Sequence, residues 1–169
     1  MSQNDDWLQT SIEYDNIVKI YCSITPSPGG ILVALKFCNT TSTATLPAQS
    51  PYTIEVWYPI TGHISFASES QDGGEILIGQ LYQGIGTSES NSFDPKIDPN
   101  NCLDWMYFYC AVEPPIAEAM LRNAEKRGVV NLNVYIHHSM LWFVRTLNQK
   151  TYNFNFVFKF QIPKFKMEE

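Results

Sequence analysis

The chain has 169 residues, of which 44% are hydrophobic and 17% charged, with a formal net charge of -6. This length predicts a single domain, and so apolar a composition excludes intrinsic disorder for all but the ends. No apolar run reaches the roughly 18 residues that cross a bilayer, and the acidic start MSQNDDWLQT does not resemble a secretory signal, so we expect a soluble, cytoplasmic or otherwise intracellular protein.

The first half of the chain shows the alternation of apolar and polar residues that is typical of strands. Residues 1–12 hold little apolar content and predict a flexible N-terminal arm, which leaves 13–169 as one domain. Alternation over 17–24 and 31–37, on either side of the turn sequence TPSPGG, predicts a hairpin. We expect a second hairpin from 52–58 and 64–66, turning at Pro-Ile-Thr-Gly.

The middle of the chain combines a strand, a long loop and an apolar run. Residues 75–82 predict a fifth strand in which Gly79 marks a bulge or a close backbone approach. The stretch 83–101 lacks periodicity, and loops of that length are usually functional or mobile. The unbroken apolar run 105–112 predicts a central strand that is buried on both faces.

One α-helix is predicted, at about 115–127. Two prolines stand at its start, and Gly128 stands where a left-handed residue ends a helix. Helical spacing predicts one apolar face against the sheet, formed by Ile116, Met120, Leu121 and Ala124.

The last third of the chain again predicts strands. Residues 130–136 alternate, and 140–147 predict another strand after a bend at the two adjacent histidines, with a short helix as the alternative. In the final strand aromatic or aliphatic residues take every second position from 152 to 162, which predicts one buried face. The expected fold class is therefore mainly β: an antiparallel β-sandwich or open barrel of about eight or nine strands with one α-helix.

Cysteine and histidine patterns give no established motif. Cys22, Cys38, Cys102 and Cys110 have spacings that match neither a zinc site nor a dense disulfide scaffold, so we expect buried thiols, with a Cys22–Cys38 pair as the alternative. Neighbouring residues of a strand point to opposite faces. His137 and His138 are therefore expected to be one packed and one solvated residue.

The loop before the apolar run is rich in oxygen ligands. Asp94, Asp98 and Asp104 lie close enough in sequence to suggest Ca²⁺, but their spacing matches no EF-hand, and an ordinary turn-rich loop is the preferred interpretation. Asn39-Thr40-Thr41 is formally a glycosylation acceptor. No catalytic motif occurs, and we predict no enzyme activity, metal or cofactor.

Charge is divided unevenly along the chain. Residues 1–125 hold four basic and fifteen acidic side chains, whereas 126–167 hold seven basic and no acidic ones. This pattern suggests neutralisation between strands, contact between basic and acidic subunit surfaces, or nucleic-acid binding. The candidate binding residues in the basic segment are Lys126, Arg127, Tyr135, Trp142, Arg145 and Lys150.

Three hypotheses about function follow. The first is a non-enzymatic β-sandwich that acts through protein–protein contact, as a self-assembling subunit, an adaptor or an inhibitor, because Tyr, Trp, Asn and Ser suit contact surfaces. The second is a nucleic-acid-binding module that uses the basic segment 126–167, against which the sequence pI of about 5.0 argues. The third is a small-ligand or carbohydrate binder with the loop 83–101 over its site.

Overall fold

The computed structural model describes residues 7–14, 18–40, 53–57, 60–68, 74–83, 96–144 and 149–163. Over these residues the fold is mainly β, with two antiparallel sheets and one helix, which confirms the predicted β-sandwich. The elements in chain order are β1 (Leu8–Tyr14), β2 (Val18–Ser27), β3 (Gly30–Asn39), β4 (Thr53–Trp57), β5 (Thr61–Ala67), β6 (Glu75–Gln80), β7 (Tyr82–Gln83), β8 (Lys96–Ile97), β9 (Met106–Ala111), α1 (Pro114–Arg127), β10 (Val129–Val144) and β11 (Gln149–Pro163).

The first sheet has the strand order β1-β2-β3-β9-β7. The predicted hairpin between 17–24 and 31–37 is present as β2 and β3, paired from Val18 opposite Asn39 to Ser27 opposite Gly30. β1 pairs with β2 along its length, so the prediction of a flexible arm was wrong for residues 8–12. Residues 8–12 pair one to one with residues of β2, so β2 supplies the backbone hydrogen bonds that an isolated segment lacks.

The second sheet is built on the long hairpin of β10 and β11. β10 is one 16-residue strand, so the predicted break at the histidines was wrong; a register shift between Ile136 and Ser139 takes its place. β11 occupies one edge of β10 from Val129 to Val144, and β4 and β5 both pair with the other edge. The expected hairpin between 52–58 and 64–66 was therefore wrong, because these two segments follow one another along β10. β6 and β8 complete the sheet beside β5 and β4.

The core lies between the sheets and follows the predicted alternation. Inward residues of β2, β3 and β10 are at most 2% exposed, and of the residues between them Ser23, Ala34 and Cys38 are also buried. β9 was predicted to be buried on both faces, but it also alternates, with Tyr107 43% exposed. Gly79 of β6 allows the predicted close approach, since a Cβ there would lie 2.8 Å from the Ala111 carbonyl oxygen, and the register shifts beside it.

The helix begins at the predicted prolines and ends at Gly128, whose φ of 80° and N–H bond to the Ala124 carbonyl form the expected cap. Its buried residues are Met120 and Asn123, and Asn123 Nδ2 donates to the Ala67 carbonyl over 2.9 Å. Leu121 is 38% exposed, so its assignment to the buried face was wrong. The helix buries a polar side chain in its place because that amide satisfies a carbonyl at the end of β5. No helix in the described ranges is long and apolar enough to cross a membrane.

A disulfide joins Cys38 at the end of β3 to Cys102, whereas Cys22 and Cys110 are buried free thiols. The expectation of four thiols was wrong, and so was the alternative pairing of Cys22 with Cys38. Two backbone bonds, from Asn39 N to Asn101 O and from Leu103 N to Phe37 O, hold the two segments side by side. Burial raises the pKa of Cys22 and that of Cys110, the latter to about 11, so both thiols stay protonated and unreactive.

Substitution of Phe156 by alanine is expected to lower the free energy of unfolding by about 3–5 kcal/mol. Phe156 in β11 is 7% exposed and its ring centroid lies 6.4 Å from that of Phe158. Val157→Ala, at the neighbouring half-buried position, serves as the control and should cost about 1 kcal/mol or less. Urea unfolding measures both, and equal midpoints for the two variants would contradict the assignment of this face.

Candidate functional site

The described residues of the predicted basic set lie near opposite ends of the β10–β11 hairpin. Lys126 and Arg127 lie in the last turn of α1, where positive charge complements the helix dipole, directly before β10 begins. Lys150 pairs with Phe143 near the opposite end of the hairpin. Phe143 lies 14 residues after Val129 in β10, so at about 3.3 Å per residue the two groups are separated along the strand by up to roughly 46 Å. Lys126 and Arg127 are therefore not neighbours of Lys150 in the hairpin.

Other members of the predicted set fall elsewhere. Tyr135 of β10 lies on the outer face of the second sheet, where its hydroxyl binds a carboxylate. Arg145 lies outside the described residues, and Trp142 and Lys150 are described only through their backbone pairing.

The acidic loop forms a turn against the end of β3. Asp98 and Asp104 are exposed, and Asp94 lies outside the described ranges. The Asp98 carbonyl accepts a bond from Asn101 N, and Asn39 Nδ2 donates 2.8 Å to the Ile97 carbonyl. In the part of the chain that the structure describes, no group of three or more His, Cys, Asp or Glu side chains is placed to hold a metal ion. The formal glycosylation acceptor Asn39 is 1% exposed, so its amide is inaccessible in the folded chain.

A small cavity lies between α1 and the β5–β6 edge of the second sheet. Its volume of about 130 Å³ is below the roughly 300–1,000 Å³ of typical ligand pockets. This cavity gives no support to a small-ligand site beside α1, and residues 84–95 of the loop in the small-ligand hypothesis lie outside the described ranges. Its lining consists of Phe66, Ser68, Ile76, Ala119, Arg122 and Asn123.

A polar network on the outer face of the second sheet is centred on Glu75, at the start of β6. Its carboxylate accepts a hydrogen bond from the Ser65 hydroxyl, one of 3.0 Å from Asn133 Nδ2, and a bifurcated one from the Tyr135 hydroxyl, whose oxygen lies 2.9 Å from both carboxylate oxygens. These donors, the Ser65 hydroxyl first, lower the pKa of Glu75 because each stabilises the ionised form. Desolvation and then the bond to Glu75 raise the pKa of Tyr135, so its phenol stays protonated and is no nucleophile.

Two histidines lie beside this network. The ring of His63 in β5 lies nearly parallel to that of Tyr135, with centroids 4.7 Å apart. His63 Nδ1 and His137 Nε2 are 2.7 Å apart, a short hydrogen bond between imidazoles. Burial first, then the neighbouring His137, lowers the pKa of His63 in spite of the opposing effect of Glu75. Sequence reasoning missed this pair because 74 residues separate the two histidines.

The outer face of the first sheet carries a second feature, a surface of aromatic rings with two lysines beside them, which we call the aromatic face. Strand pairing places Tyr21 beside Lys36, Tyr107 beside Ala34, and Tyr109 between Leu32 and Tyr82. The strand and residue spacings give the surface dimensions of roughly 19 Å by 14 Å. Its members are Trp7, Lys19, Tyr21, Lys36, Tyr82, Trp105, Tyr107 and Tyr109.

The rings of the aromatic face contact one another and the lysines. Trp7 meets Tyr107 edge-on, and Tyr21 meets Trp105, each with centroids 6.5 Å apart. Lys19 Nζ lies 5.0 Å from the Tyr21 ring centroid and Lys36 Nζ lies 5.7 Å from that of Trp105, so both cations lie within cation–π distance.

The most exposed rings are at the β9–β7 side of the aromatic face. Tyr82 is 65% exposed and Tyr107 is 43% exposed, although both are large and partly apolar. Tyr109 is fixed in place by its hydroxyl, which donates 2.9 Å to the Pro28 carbonyl. Rings held in defined orientations lose little conformational freedom on binding, which favours a contact surface.

Comparisons of this chain with family models, with curated proteins and with solved structures found no match. The class that the fold defines is a β-sandwich with one helix.

Proposed function

We propose that this protein is a non-enzymatic β-sandwich that binds another protein through the aromatic face of its first sheet. The observation that carries the proposal is the row of ordered rings that ends in the exposed Tyr82 and Tyr107. Tyrosine and tryptophan are enriched at the centres of protein interfaces, where they bury large areas at little entropic cost. Exposed surfaces of this kind on monomers mark interaction sites.

The lysines indicate the chemistry of the partner. Lys19 and Lys36 lie against rings at one end of the aromatic face, and Glu13 lies opposite Lys19 in the neighbouring strand. A partner with carboxylates at this end and aromatic or aliphatic side chains at the Tyr82–Tyr107 end would complement both ends of the aromatic face. We therefore propose an acidic, partly aromatic protein segment as the occupant.

Single-stranded nucleic acid is the competing occupant, since lysines among aromatic rings also suit stacked bases. The net charge of -6 opposes a phosphate polymer, which carries one negative charge on every nucleotide, more strongly than a short acidic segment with a few carboxylates. The alternative of a nucleic-acid site on 126–167 has less support because Lys126 and Arg127 lie at the end of the β10–β11 hairpin opposite to that of Lys150. Intracellular location stays a prediction, against which the disulfide argues, since structural disulfides persist mainly in oxidising compartments.

The test is selection of a displayed random-peptide library on the folded protein, followed by affinity measurements with the enriched peptides. We expect acidic peptides with aromatic residues, whose affinity falls at least about tenfold in Tyr107→Ser, a loss of about 1.4 kcal/mol. Leu77→Ser is the matched control, because Leu77 is 53% exposed on the outer face of the second sheet. It should leave the affinity unchanged.

Three outcomes would overturn the proposal. The first is equal peptide binding by wild type and Tyr107→Ser. The second is displacement of the enriched peptides by a single-stranded oligonucleotide that binds more tightly than they do, which would favour nucleic acid. The third is a dimer in light scattering that Tyr107→Ser dissociates, which would make a second copy of this chain the occupant.

A further inference from the structure

The two paired histidines lie where the pairing of β10 changes partner. β10 pairs with β5 as far as His137, opposite Thr61, and with β4 from Met140 onward, opposite Trp57. Its register with β11 shifts in the same region, between Ile136 and Ser139. Side-chain contacts at the last β5–β10 pair are therefore important for keeping the start of β5 in place. One of them is the bond of 3.2 Å from Thr61 Oγ1 to the His137 carbonyl.

The geometry of the histidine pair is that of a direct proton bridge. The ring planes differ by 23°, the ring centroids are 4.8 Å apart, and the two facing nitrogens are 2.7 Å apart. The difference between these two distances is nearly two ring radii, so both nitrogens lie close to the line that joins the centroids. The rings therefore meet edge to edge, with one nitrogen of each aimed at the other. Such a contact needs a proton on one nitrogen and a lone pair on the other. Two protonated nitrogens at this distance would repel each other.

We propose that His63 and His137 form a proton-sensitive latch that holds the start of β5 against β10. The latch is closed while one of the two facing nitrogens carries a proton and the other offers a lone pair, and it opens when both imidazoles are charged. Opening removes the contact between the side chains at the end of the β5–β10 ladder. The expected consequence is local fraying of residues 61–63 and of the facing part of β10, with the core between the sheets intact.

The charged and titratable groups around the latch determine whether acidification opens or closes it. Glu75 of β6 favours the charged form of His63, and Tyr135 of β10 is neutral. Gln80 of β6 pairs with His63 and is uncharged, and Lys159 of β11 lies opposite Asn133. Burial and the second histidine dominate, and they hold the pKa of His63 below its ordinary value of 6.5. Because the opened state binds protons more readily than the closed state, acidification favours opening.

Hydrogen exchange of backbone amides at about pH 7.5 and about pH 5 tests the latch, after correction for the intrinsic pH dependence of exchange. In the wild type, protection of residues 61–63 and 135–137 should fall at least tenfold at the lower pH. Protection in the β2–β3 ladder should stay unchanged. Glu75 titrates lower, since its pKa lies below 4.5, so its effect is separated in pH from that of the latch.

Two substitutions replace a ring nitrogen by a side-chain amide that does not titrate. His63→Asn supplies an amide near the position of Nδ1, and His137→Gln supplies one near the position of Nε2. Each should remove the pH dependence of protection, whereas the control His138→Gln should retain it. The proposal is overturned if protection in the wild type does not change between the two pH values, or if His63→Asn and His137→Gln lose protection as the wild type does.

Discussion

Aspartate in place of Met120 is expected to unfold the domain, whereas aspartate at the adjacent Leu121 should leave it folded. Met120 is fully buried between α1 and the second sheet, and Leu121 is 38% exposed. Loss of the buried methionine alone costs about 2–5 kcal/mol, and an unpaired carboxylate in the core costs several kcal/mol more. That sum is comparable to the roughly 5–15 kcal/mol by which domains of this kind are stable.

Leu121→Asp serves as the matched control, since it places the same charge one residue further along the same helix. It should cost about 1 kcal/mol or less, from lower helix propensity and lost partial burial. Circular dichroism and urea unfolding measure both variants. A cooperatively folded Met120→Asp protein, or an unfolded Leu121→Asp protein, would contradict the placement of α1.

Removal of the Cys38–Cys102 disulfide is expected to lower the free energy of unfolding by about 4 kcal/mol. The bond closes a sequence separation of 64 residues, and a cross-link over such a loop removes much of the conformational entropy of the unfolded chain. The double variant Cys38→Ala/Cys102→Ala should therefore unfold at a lower urea concentration with its fold retained. Backbone bonds on both sides, such as that from Leu103 N to Phe37 O, remain in the variant.

Reductant and a thiol count provide the controls for this prediction. A reductant should destabilise the wild type by a similar amount and leave the double variant unchanged. Without reductant, the folded wild type should show no reactive thiol and the denatured chain should show two, from Cys22 and Cys110. Four reactive thiols in the denatured chain would contradict the pairing.

The candidate surfaces differ in how much of each was visible in the sequence. Alternation predicts that Tyr21 and Lys19 face away from the core, since Ile20 and Cys22 face into it. It does not predict that Trp105 lies beside Tyr21, because 84 residues of chain separate them and β3 and β9 bring them together. The same holds for His63 and His137, each of which follows or precedes a buried isoleucine. Their orientation was predictable and their contact was not.

The sequence by itself determined the β class, the position and ends of the helix, and the inward face of most strands. These features depend on local preferences: the two-residue period of a strand, prolines at a helix start and a left-handed glycine at its end. Tertiary structure alone decided which strands are neighbours, that β4 and β5 share one edge of β10, and that Cys38 meets Cys102. The physical reason is that one alternating strand satisfies the hydrogen bonds of another almost equally well. The choice of partner is therefore made by the packing of the whole core, to which residues distant in sequence contribute together.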